Sequence, residues 1–293
     1  MSIVSKFICW KFKRSDDKRD AGLKTPAEVQ RIDNIQYGDD EKWNVLDVYR
    51  PRGVTGKLPV IVSVHGGGWV YGDKERYQYY CMSLVQHGFA VVNFTYRLAP
   101  KHKHPSSLED TNNVFKWVIR NSNKYGFDAG NIFAVGDSAG AHLLGLFCCL
   151  CTNEEYARSL PFKAPEGFKP KAVALNCGVY HMEAQKGGLT SILMKDFLPQ
   201  KGTEEEMKAI SVTEHLNSAF PPAFVMTAEG DFLKEAALPL VNQLKDLGVE
   251  AEYHYYGDKD HVLGHVFHCN MKLEEAALCN KDECEFFRRF ITA

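Results

Sequence analysis

The chain has 293 residues, 45% of them apolar, and its 35 basic and 37 acidic side chains give a net charge of −2. A chain of this length can bury a sizeable core, and its mixed charges lack the basic footprint of a nucleic-acid-binding protein. No Pro/Gly/Ser-rich linker, charge block or internal repeat divides the sequence. We therefore expect one compact domain over residues 1–293, with no nucleic-acid partner.

The nine cysteines are odd in number, and several lie in apolar runs. This usage is typical of a reducing compartment, so we expect a cytoplasmic protein. Three of the cysteines lie within residues 146–151, which we interpret as a buried helix. A metal site is the alternative there, but no paired CxxC accompanies the segment, and buried free cysteine behaves as a small hydrophobe.

Residues 1–14 are basic and amphipathic, but Lys6 interrupts the apolar run and no small-residue cleavage site follows. The segment is therefore a poor signal peptide. No apolar stretch of the sequence is long enough to span a bilayer, and we expect no stable membrane insertion. Two roles stay open for the segment: packing as a helix over the mouth of a functional site, which we favour, and contact with a membrane surface.

Strands and helices alternate in the first half of the chain. Residues 43–49 alternate apolar and polar side chains, as a half-buried, early antiparallel strand does. Residues 58–64 and 89–96 are nearly continuous apolar runs rich in β-branched residues, the pattern of parallel strands buried on both faces. Helical spacing is present over 77–87, between these two runs, and over 108–121.

The alternation continues in the second half of the chain. Further strands are predicted over residues 132–135, 172–175, 223–227 and 252–256, with helices after Ser138 and over 238–247. This order predicts an α/β protein with a doubly wound, mostly parallel sheet and helices on both faces. The interval 181–221 interrupts the alternation of strands and helices, because it is long, polar in places and contains Gly187, Gly188 and Gly202. We interpret it as a cap inserted near the functional site.

The strongest chemical signal is Gly136-Asp-Ser-Ala-Gly140, which follows the predicted strand 132–135 and opens a helical run. A GxSxG motif at a strand-to-helix turn holds its serine on a tight, strained elbow with Oγ exposed. The helix N-terminus adds unpaired N–H groups and a dipole that favour a developing oxyanion. A chance GxSxG in a loop is the alternative, and the flanking strand and helix argue against it. We predict Ser138 as a nucleophile.

A second signal, His65-Gly-Gly-Gly-Trp69, comes directly after the predicted strand 58–64. Three consecutive glycines cost folding entropy, which is explained if backbone N–H groups must reach an oxyanion unobstructed. We assign the N–H groups of Gly67, Gly68 and Ala139 to an oxyanion hole. A phosphate-binding or dinucleotide-binding loop is the alternative, but the sequence of this loop matches neither GxGxxG nor GxxxxGK[ST].

With these motifs the chain resembles the hormone-sensitive-lipase family of α/β-hydrolases, which includes many small microbial carboxylesterases and acetyl esterases. The resemblance covers most of the chain and is carried by residues 65–69, 93–100 with Pro105 and Asp110, 136–140, 229–231 and 264–267. It implies the α/β-hydrolase fold, with an eight-stranded, mostly parallel sheet and a helical cap built from about residues 1–30 and 181–221. It also implies the chain order nucleophile, acid, histidine.

The acid and the histidine should therefore follow Ser138, each in a loop at the C-terminal end of a strand. The family carries its acid where Asp231 lies, just beyond the predicted strand 223–227. Glu229 and Asp246 are weaker candidates. A helix N-cap is the structural alternative for Asp231.

Three histidines, His261, His265 and His268, lie in the loop after the last predicted strand. The i,i+4 spacing of the first two would suit a metal pair only on a helix, and the glycines and charged residues of this segment favour a loop. His265 matches the His-x-Phe pattern of the family. We choose it over His261 as the general base.

Residue chemistry and resemblance together predict a serine carboxylesterase. Ser138, His265 and Asp231 would act through an acyl-enzyme intermediate, without a metal or an organic cofactor. A serine peptidase or amidase on the same fold is one alternative. A non-catalytic ligand receptor is another, although receptors in this family have lost the triad histidine and this chain retains His265.

The expected substrate is a small-molecule ester. Trp69, Tyr71, Phe232 and the cap at 181–221 should shape its pocket, which favours short acyl chains and acetyl esters in particular. A homodimer through the last strand stays open.

Overall fold

The structure is a computed structural model that describes residues 2–184 and 188–292. Eight strands form one sheet: β1 (Val29–Gln36), β2 (Val45–Pro51), β3 (Leu58–Val64), β4 (Ala90–Phe94), β5 (Phe127–Asp137), β6 (Val173–Asn176), β7 (Ala223–Ala228) and β8 (Ala251–Tyr256). Their order is β1-β2-β4-β3-β5-β6-β7-β8. The pairs β1–β2 and β2–β4 are antiparallel and the other pairs are parallel. The predicted mostly parallel, eight-stranded sheet is confirmed.

The helices are α1 (Ile3–Asp20), α2 (Lys74–Val85), α3 (Ser106–Tyr125), α4 (Ala139–Thr152), α5 (Glu154–Ser159), α6 (Gly188–Phe197), α7 (Glu204–Ala209), α8 (Ala237–Asp246) and α9 (Glu274–Arg288). Side chains of α3, α4 and α8 pack on one face of the sheet, and those of α2 and α9 pack on the other. None of the described helices combines the length and hydropathy needed to cross a bilayer.

The central strand β3 shows why the predicted apolar runs lack alternation. Val60, Val62 and Val64 point into the core beneath α3 and α4, whereas Ile61 points into the core beneath α2 and α9. Successive side chains of a strand face opposite sides of the sheet, and here helices cover both sides. Apolar side chains are therefore expected on both faces of β3, and Ser63 is the one polar residue of the strand.

Strand β1 and the helices α5 and α9 were absent from the sequence prediction. Strand β1 is mostly half-buried or exposed, and its apolar residues Val29, Ile32 and Ile35 recur at every third position, not at every second position as in a regular half-buried strand. Helix α9 carries charged residues on its outer face. Its buried side chains were identified only from the way the helix packs on the sheet. Helices α6 and α7 lie within the predicted cap interval 181–221. Gly187 of that interval lies outside the described residues.

Helix α9 brings a buried carboxyl group, Glu283, beneath the sheet edge. Its oxygens accept hydrogen bonds from the Tyr80 hydroxyl (2.8 Å) and from Asn176 Nδ2 (2.7 Å). Burial raises the pKa of Glu283 from its usual 4.5 to about 7, although these two bonds oppose the rise. The native protein therefore holds a proton that the unfolded chain releases as the pH rises from about 4.5 to about 7.

This difference predicts that the wild-type free energy of unfolding falls relative to that of Glu283→Gln as the pH rises from about 5 to about 8. The expected change is on the order of 2–3 kcal/mol, because one pKa unit corresponds to about 1.4 kcal/mol. Urea unfolding at several pH values measures it. Glu285→Gln, at an exposed position of the same helix, is the matched control and should follow the wild type. Identical pH profiles for wild type and Glu283→Gln would contradict the prediction.

Candidate active site

Ser138 lies at the turn between β5 and α4, with a φ of 51° that non-glycine residues rarely adopt. The turn is crowded: a Cβ atom on Gly136 would approach the Gly140 carbonyl oxygen to 2.6 Å, and one on Gly140 would collide with the Val64 carbonyl oxygen. The backbone N–H of Ser138 is held by the Asn176 carbonyl at 2.9 Å. The two motif glycines therefore permit a tight elbow that leaves Ser138 half-buried at the cavity wall.

The glycine loop after β3 lies beside this elbow. Gly67 and Gly68 have φ values of 117° and 61°, and a Cβ atom on Gly67 would collide with the Tyr71 carbonyl. Among the described residues, the N–H groups of Gly67, Gly68 and Ala139 donate to no protein acceptor. All three residues line the cavity that contains Ser138. The loop therefore presents free backbone donors near the serine.

Asp231 lies in the loop after β7 and is almost completely buried. Its carboxylate accepts hydrogen bonds from His265 Nδ1 (2.7 Å), the Leu233 N–H (2.9 Å) and the Thr227 hydroxyl (2.7 Å). Burial alone would raise the pKa of Asp231, but the bonds from His265, Leu233 and Thr227 outweigh it, and the pKa is lowered. The side chain is therefore an anion that orients the imidazole.

The loops that carry this pair are joined by their backbones. Gly230 and Gly264 form an isolated parallel bridge, and the Gly230 N–H donates to the Leu263 carbonyl at 2.8 Å. A Cβ atom on Gly230 would approach that carbonyl oxygen to 2.8 Å. Close contact of the two loops fixes the spacing of Asp231 and His265.

Ser138 and His265 line one cavity of about 300 Å³. Within the described ranges no hydrogen bond joins their side chains, and bonds of this kind often tighten only when substrate is bound. The structure thus brings Ser138, the Asp231–His265 pair and the free N–H groups of the glycine loop to one place. This arrangement can carry out acyl transfer by nucleophilic attack.

The other candidates lie elsewhere. His261 is exposed and contacts Glu275 at 2.5 Å, whereas His268 is completely buried, with a pKa lowered to about 3 by burial. Glu229 pairs with Lys234 at 3.3 Å. Asp231 therefore takes His265 as its partner rather than His261 or His268.

The three predicted pocket residues all line the cavity, but in different ways. Phe232 is exposed, and its ring centroid lies 4.2 Å from that of His265. The Tyr71 hydroxyl donates to Asp16 of α1 at 2.8 Å. Trp69 is nearly buried, and its indole N–H donates to His142 Nδ1 at 3.2 Å. Trp69 therefore forms a rigid wall of the cavity, and its indole N–H is bonded to His142 and does not face a substrate.

Sequence reasoning missed a hydrogen-bonded link between the two motif loops. The Tyr77 hydroxyl donates to Asp137 Oδ2 (2.7 Å) and accepts from the Gly66 N–H (3.0 Å). Burial raises the pKa of Asp137 to about 6, although the bond from Tyr77 lowers it. Tyr77 lies on α2, outside both motifs, so nothing in the sequence connected it with them.

Helix α1 lies over the same cavity. Lys11, Phe12, Ser15, Asp16 and Arg19 line it from this side. Arg19 is held by Asp16 (3.2 Å) and Asp20 (2.7 Å). The cavity is thus lined by residues within 1–14, the segment expected to pack over the functional site. It is also lined by Ser15, Asp16 and Arg19, which follow that segment on the same helix.

One described group of Cys, His and carboxylate side chains has ligand atoms close enough to hold a metal ion: Cys177, Asp231 and His265, within 4.8 Å of one another. Burial, assisted by the nearby Asp231 carboxylate, raises the pKa of the Cys177 thiol well above its usual value. A metal would require the thiolate, and it would break the hydrogen bond between Asp231 and His265. We therefore interpret the group as the Asp–His pair beside a neutral thiol.

Comparison with known proteins gives the family. A family model described as BD-FAE matches residues 46–236. Versiconal hemiacetal acetate esterase of Dothistroma septosporum is 26% identical over 244 residues, which are 78% of this chain and 71% of that protein. Carboxylesterase NlhH of Mycobacterium tuberculosis is 28% identical over 248 residues, covering 78% of this chain and 75% of that protein.

Among solved structures, Esterase B from Lactobacillus rhamnosis has a similar fold. The TM-score is 0.86 at 21% identity, over 98% of this chain and 95% of that chain. The match to the family model spans more than half of the sequence and includes both the glycine loop and the serine elbow. The chain therefore belongs to the BD-FAE family and is a carboxylic ester hydrolase of the hormone-sensitive-lipase type.

Proposed function

We propose that this protein is a serine carboxylesterase that hydrolyses short-chain acyl esters, acetyl esters among them. Ser138 is the nucleophile, His265 the general base and Asp231 the group that orients His265. The observation that carries the proposal is the 2.7 Å bond from His265 to buried Asp231, at the wall of the cavity that holds the Ser138 elbow.

The proposed reaction has two steps. His265 Nε2 accepts the Ser138 proton while Oγ attacks the ester carbonyl carbon, and the tetrahedral intermediate expels the alcohol, which takes the proton from His265. Water then gives a proton to His265 and attacks the acyl carbonyl carbon. The second tetrahedral intermediate breaks its bond to Oγ and releases the acid, while His265 returns the proton to Oγ and restores the Ser138 hydroxyl. Asp231 stabilises the imidazolium in both steps because its carboxylate accepts a hydrogen bond from the Nδ1–H of His265.

The developing oxyanion is proposed to bind the N–H groups of Gly67, Gly68 and Ala139. Their free donors and the N-terminus of α4 support this role, because donors already in place need no reorganisation as charge develops. The link from Gly66 through Tyr77 to Asp137 holds the glycine loop against the elbow.

The size of the cavity supports short acyl chains. About 300 Å³ is at the lower end of the usual range for ligand pockets. We propose that α1 and the 181–221 interval act as the cap: Ser5 Oγ and the Ser2 N–H donate to Asp196 of α6 at 2.6 and 3.2 Å. The relative from Dothistroma septosporum is named as an acetate esterase, which supports acetyl esters as substrates here.

We also propose a cytoplasmic location. The nine cysteines are free, and most of them are buried. Such usage suits a reducing compartment.

Hydrolysis of p-nitrophenyl esters from acetate to decanoate tests the proposal. We expect kcat/KM to be highest for acetate to butyrate and to fall about tenfold or more by decanoate, because a cavity of about 300 Å³ has little room for a long chain. A maximum at decanoate would contradict the short-chain assignment. If the protein hydrolyses none of these esters but binds small ligands, it is instead a non-catalytic ligand receptor, the alternative given in the sequence analysis.

Leu193→Ala sharpens the test, because Leu193 of α6 lines the cavity and faces Gly68. The variant should raise the ratio of decanoate to butyrate hydrolysis about tenfold by lengthening the pocket. Leu198→Ala is the matched control: Leu198 is also buried, directly after α6, but is not among the described cavity residues. An equal change in both variants would assign the effect to general loosening of the cap.

A further inference from the structure

Helix α1 has a second surface that the proposed chemistry does not use. Six side chains from successive turns of α1 are exposed on this surface. We call them the outer face of α1: Lys6, Phe7, Trp10, Lys11, Lys13 and Arg14. Phe7 is 61% exposed and Trp10 is 53% exposed. Large aromatic side chains at this exposure mark interaction sites when they are clustered.

The two aromatic rings form such a cluster. Phe7 and Trp10 stack with centroids 5.8 Å apart, and the Arg14 guanidinium lies 5.7 Å from the Trp10 ring. Ser5 and Ile8 of the same helix face the protein and are buried. The helix therefore directs Ser5 and Ile8 inward and keeps Phe7 and Trp10 on the outside.

Charge adds to this surface. Residues 3–14 contain four cations and no acidic residue. The acidic residues of α1 come later and contact cations: Asp17 lies 2.7 Å from Lys13 and 2.5 Å from Arg76, while Asp16 and Asp20 contact Arg19. The nearby Asp196 accepts bonds from Ser2 and Ser5. The outer face of α1 is thus positively charged around two protruding aromatic rings.

We propose that the outer face of α1 binds an anionic lipid surface and brings the mouth of the active-site cavity to it. Aromatic rings favour the headgroup region of a bilayer, and Lys and Arg are attracted to anionic headgroups. Two aromatic rings that protrude from the exposed side of a helix, beside Lys and Arg side chains, suit shallow insertion into lipid better than docking of an acidic protein. Lys11 belongs to this face and also lines the cavity, so the bound surface lies beside the substrate entrance.

Binding to vesicles tests this inference without any catalytic readout, so its failure is distinguishable from failure of the esterase assignment. The full chain is sedimented with phosphatidylcholine vesicles with and without phosphatidylserine. We expect at least about tenfold tighter binding to the anionic vesicles, and loss of that binding in about 0.5 M salt. Equal binding to both vesicles, or none to either, would overturn the proposal, and an acidic protein would then be the better partner.

Two double variants locate the surface: Phe7→Ser with Trp10→Ser, and Lys6→Glu with Arg14→Glu. Each should weaken binding to anionic vesicles about tenfold or more while hydrolysis of soluble p-nitrophenyl acetate stays unchanged. The control Leu278→Ser with Lys281→Glu makes the same kinds of change on exposed positions of α9. Wild-type binding by both test variants, or an equal loss in the control, would refute the assignment to α1.

Tryptophan fluorescence gives an independent signal. Trp10 is exposed, whereas Trp43 and Trp117 are half-buried and Trp69 is buried. Anionic vesicles should shift the wild-type emission to shorter wavelength, and Trp10→Ser alone should abolish the shift. A shift that persists in Trp10→Ser would place the contact elsewhere.

Discussion

Replacing Ser138 with alanine is expected to lower kcat for p-nitrophenyl acetate by about 10⁴- to 10⁶-fold, the range for loss of a triad nucleophile. The change removes only Oγ, which makes no hydrogen bond to another described residue. Alanine keeps the Cβ atom, so the strain at φ 51° is the same in both proteins. The melting temperature should therefore change little, and steady-state kinetics with a thermal melt measure both quantities.

Ser15→Ala is the matched control, because Ser15 lines the same cavity from α1. It should keep activity within about threefold of the wild type, since surface substitutions away from the reacting groups have small effects. If Ser138→Ala retained more than about a tenth of the activity, the nucleophile would be a different group.

Replacing His265 with alanine should cost about 10⁴-fold or more in kcat, because base and nucleophile act as one unit. Asp231 would also lose a hydrogen-bond donor, so its buried carboxylate would be less stabilised. His261→Ala is the control, since its imidazole contacts Glu275 at the surface. That variant should hydrolyse p-nitrophenyl acetate at nearly the wild-type rate.

The two histidine variants together decide which group is the base. A large loss in His261→Ala with normal activity in His265→Ala would reverse the assignment. Comparable losses in both variants, with lowered melting temperatures, would show that the loop after β8 was disrupted as a whole. The circular dichroism spectrum and melting temperature of each variant distinguish these outcomes.

Much of the fold could be predicted because its signals are local. The valines and isoleucine of β3 form an apolar run, interrupted only by Ser63, because helices cover both faces of the sheet. Gly136 and Gly140 flank Ser138 because side chains at either position would collide with neighbouring backbone. The nucleophile and the glycine loop are therefore recognisable from sequence alone: each is a short segment whose residue types follow from its own backbone conformation.

Strand β1 and helix α9 gave no comparable signal. β1 pairs on one side only, with β2, so many of its side chains face solvent and can be polar. Glu283 of α9 is buried, but in the sequence it lies among other charged residues and cannot be distinguished from a surface residue. Its partners Tyr80 and Asn176 come from distant segments.

The sequence by itself thus determined the alternation of strands and helices, the serine elbow, the glycine loop and a short set of acid and histidine candidates. Only the tertiary structure decided that Asp231 meets His265, 34 residues away, while His261 meets Glu275. It likewise decided that one side of α1 covers the cavity and leaves Phe7 and Trp10 exposed. The physical reason is that these contacts depend on how separate loops and helices pack, and nothing in the composition or periodicity of either segment specifies its distant partner.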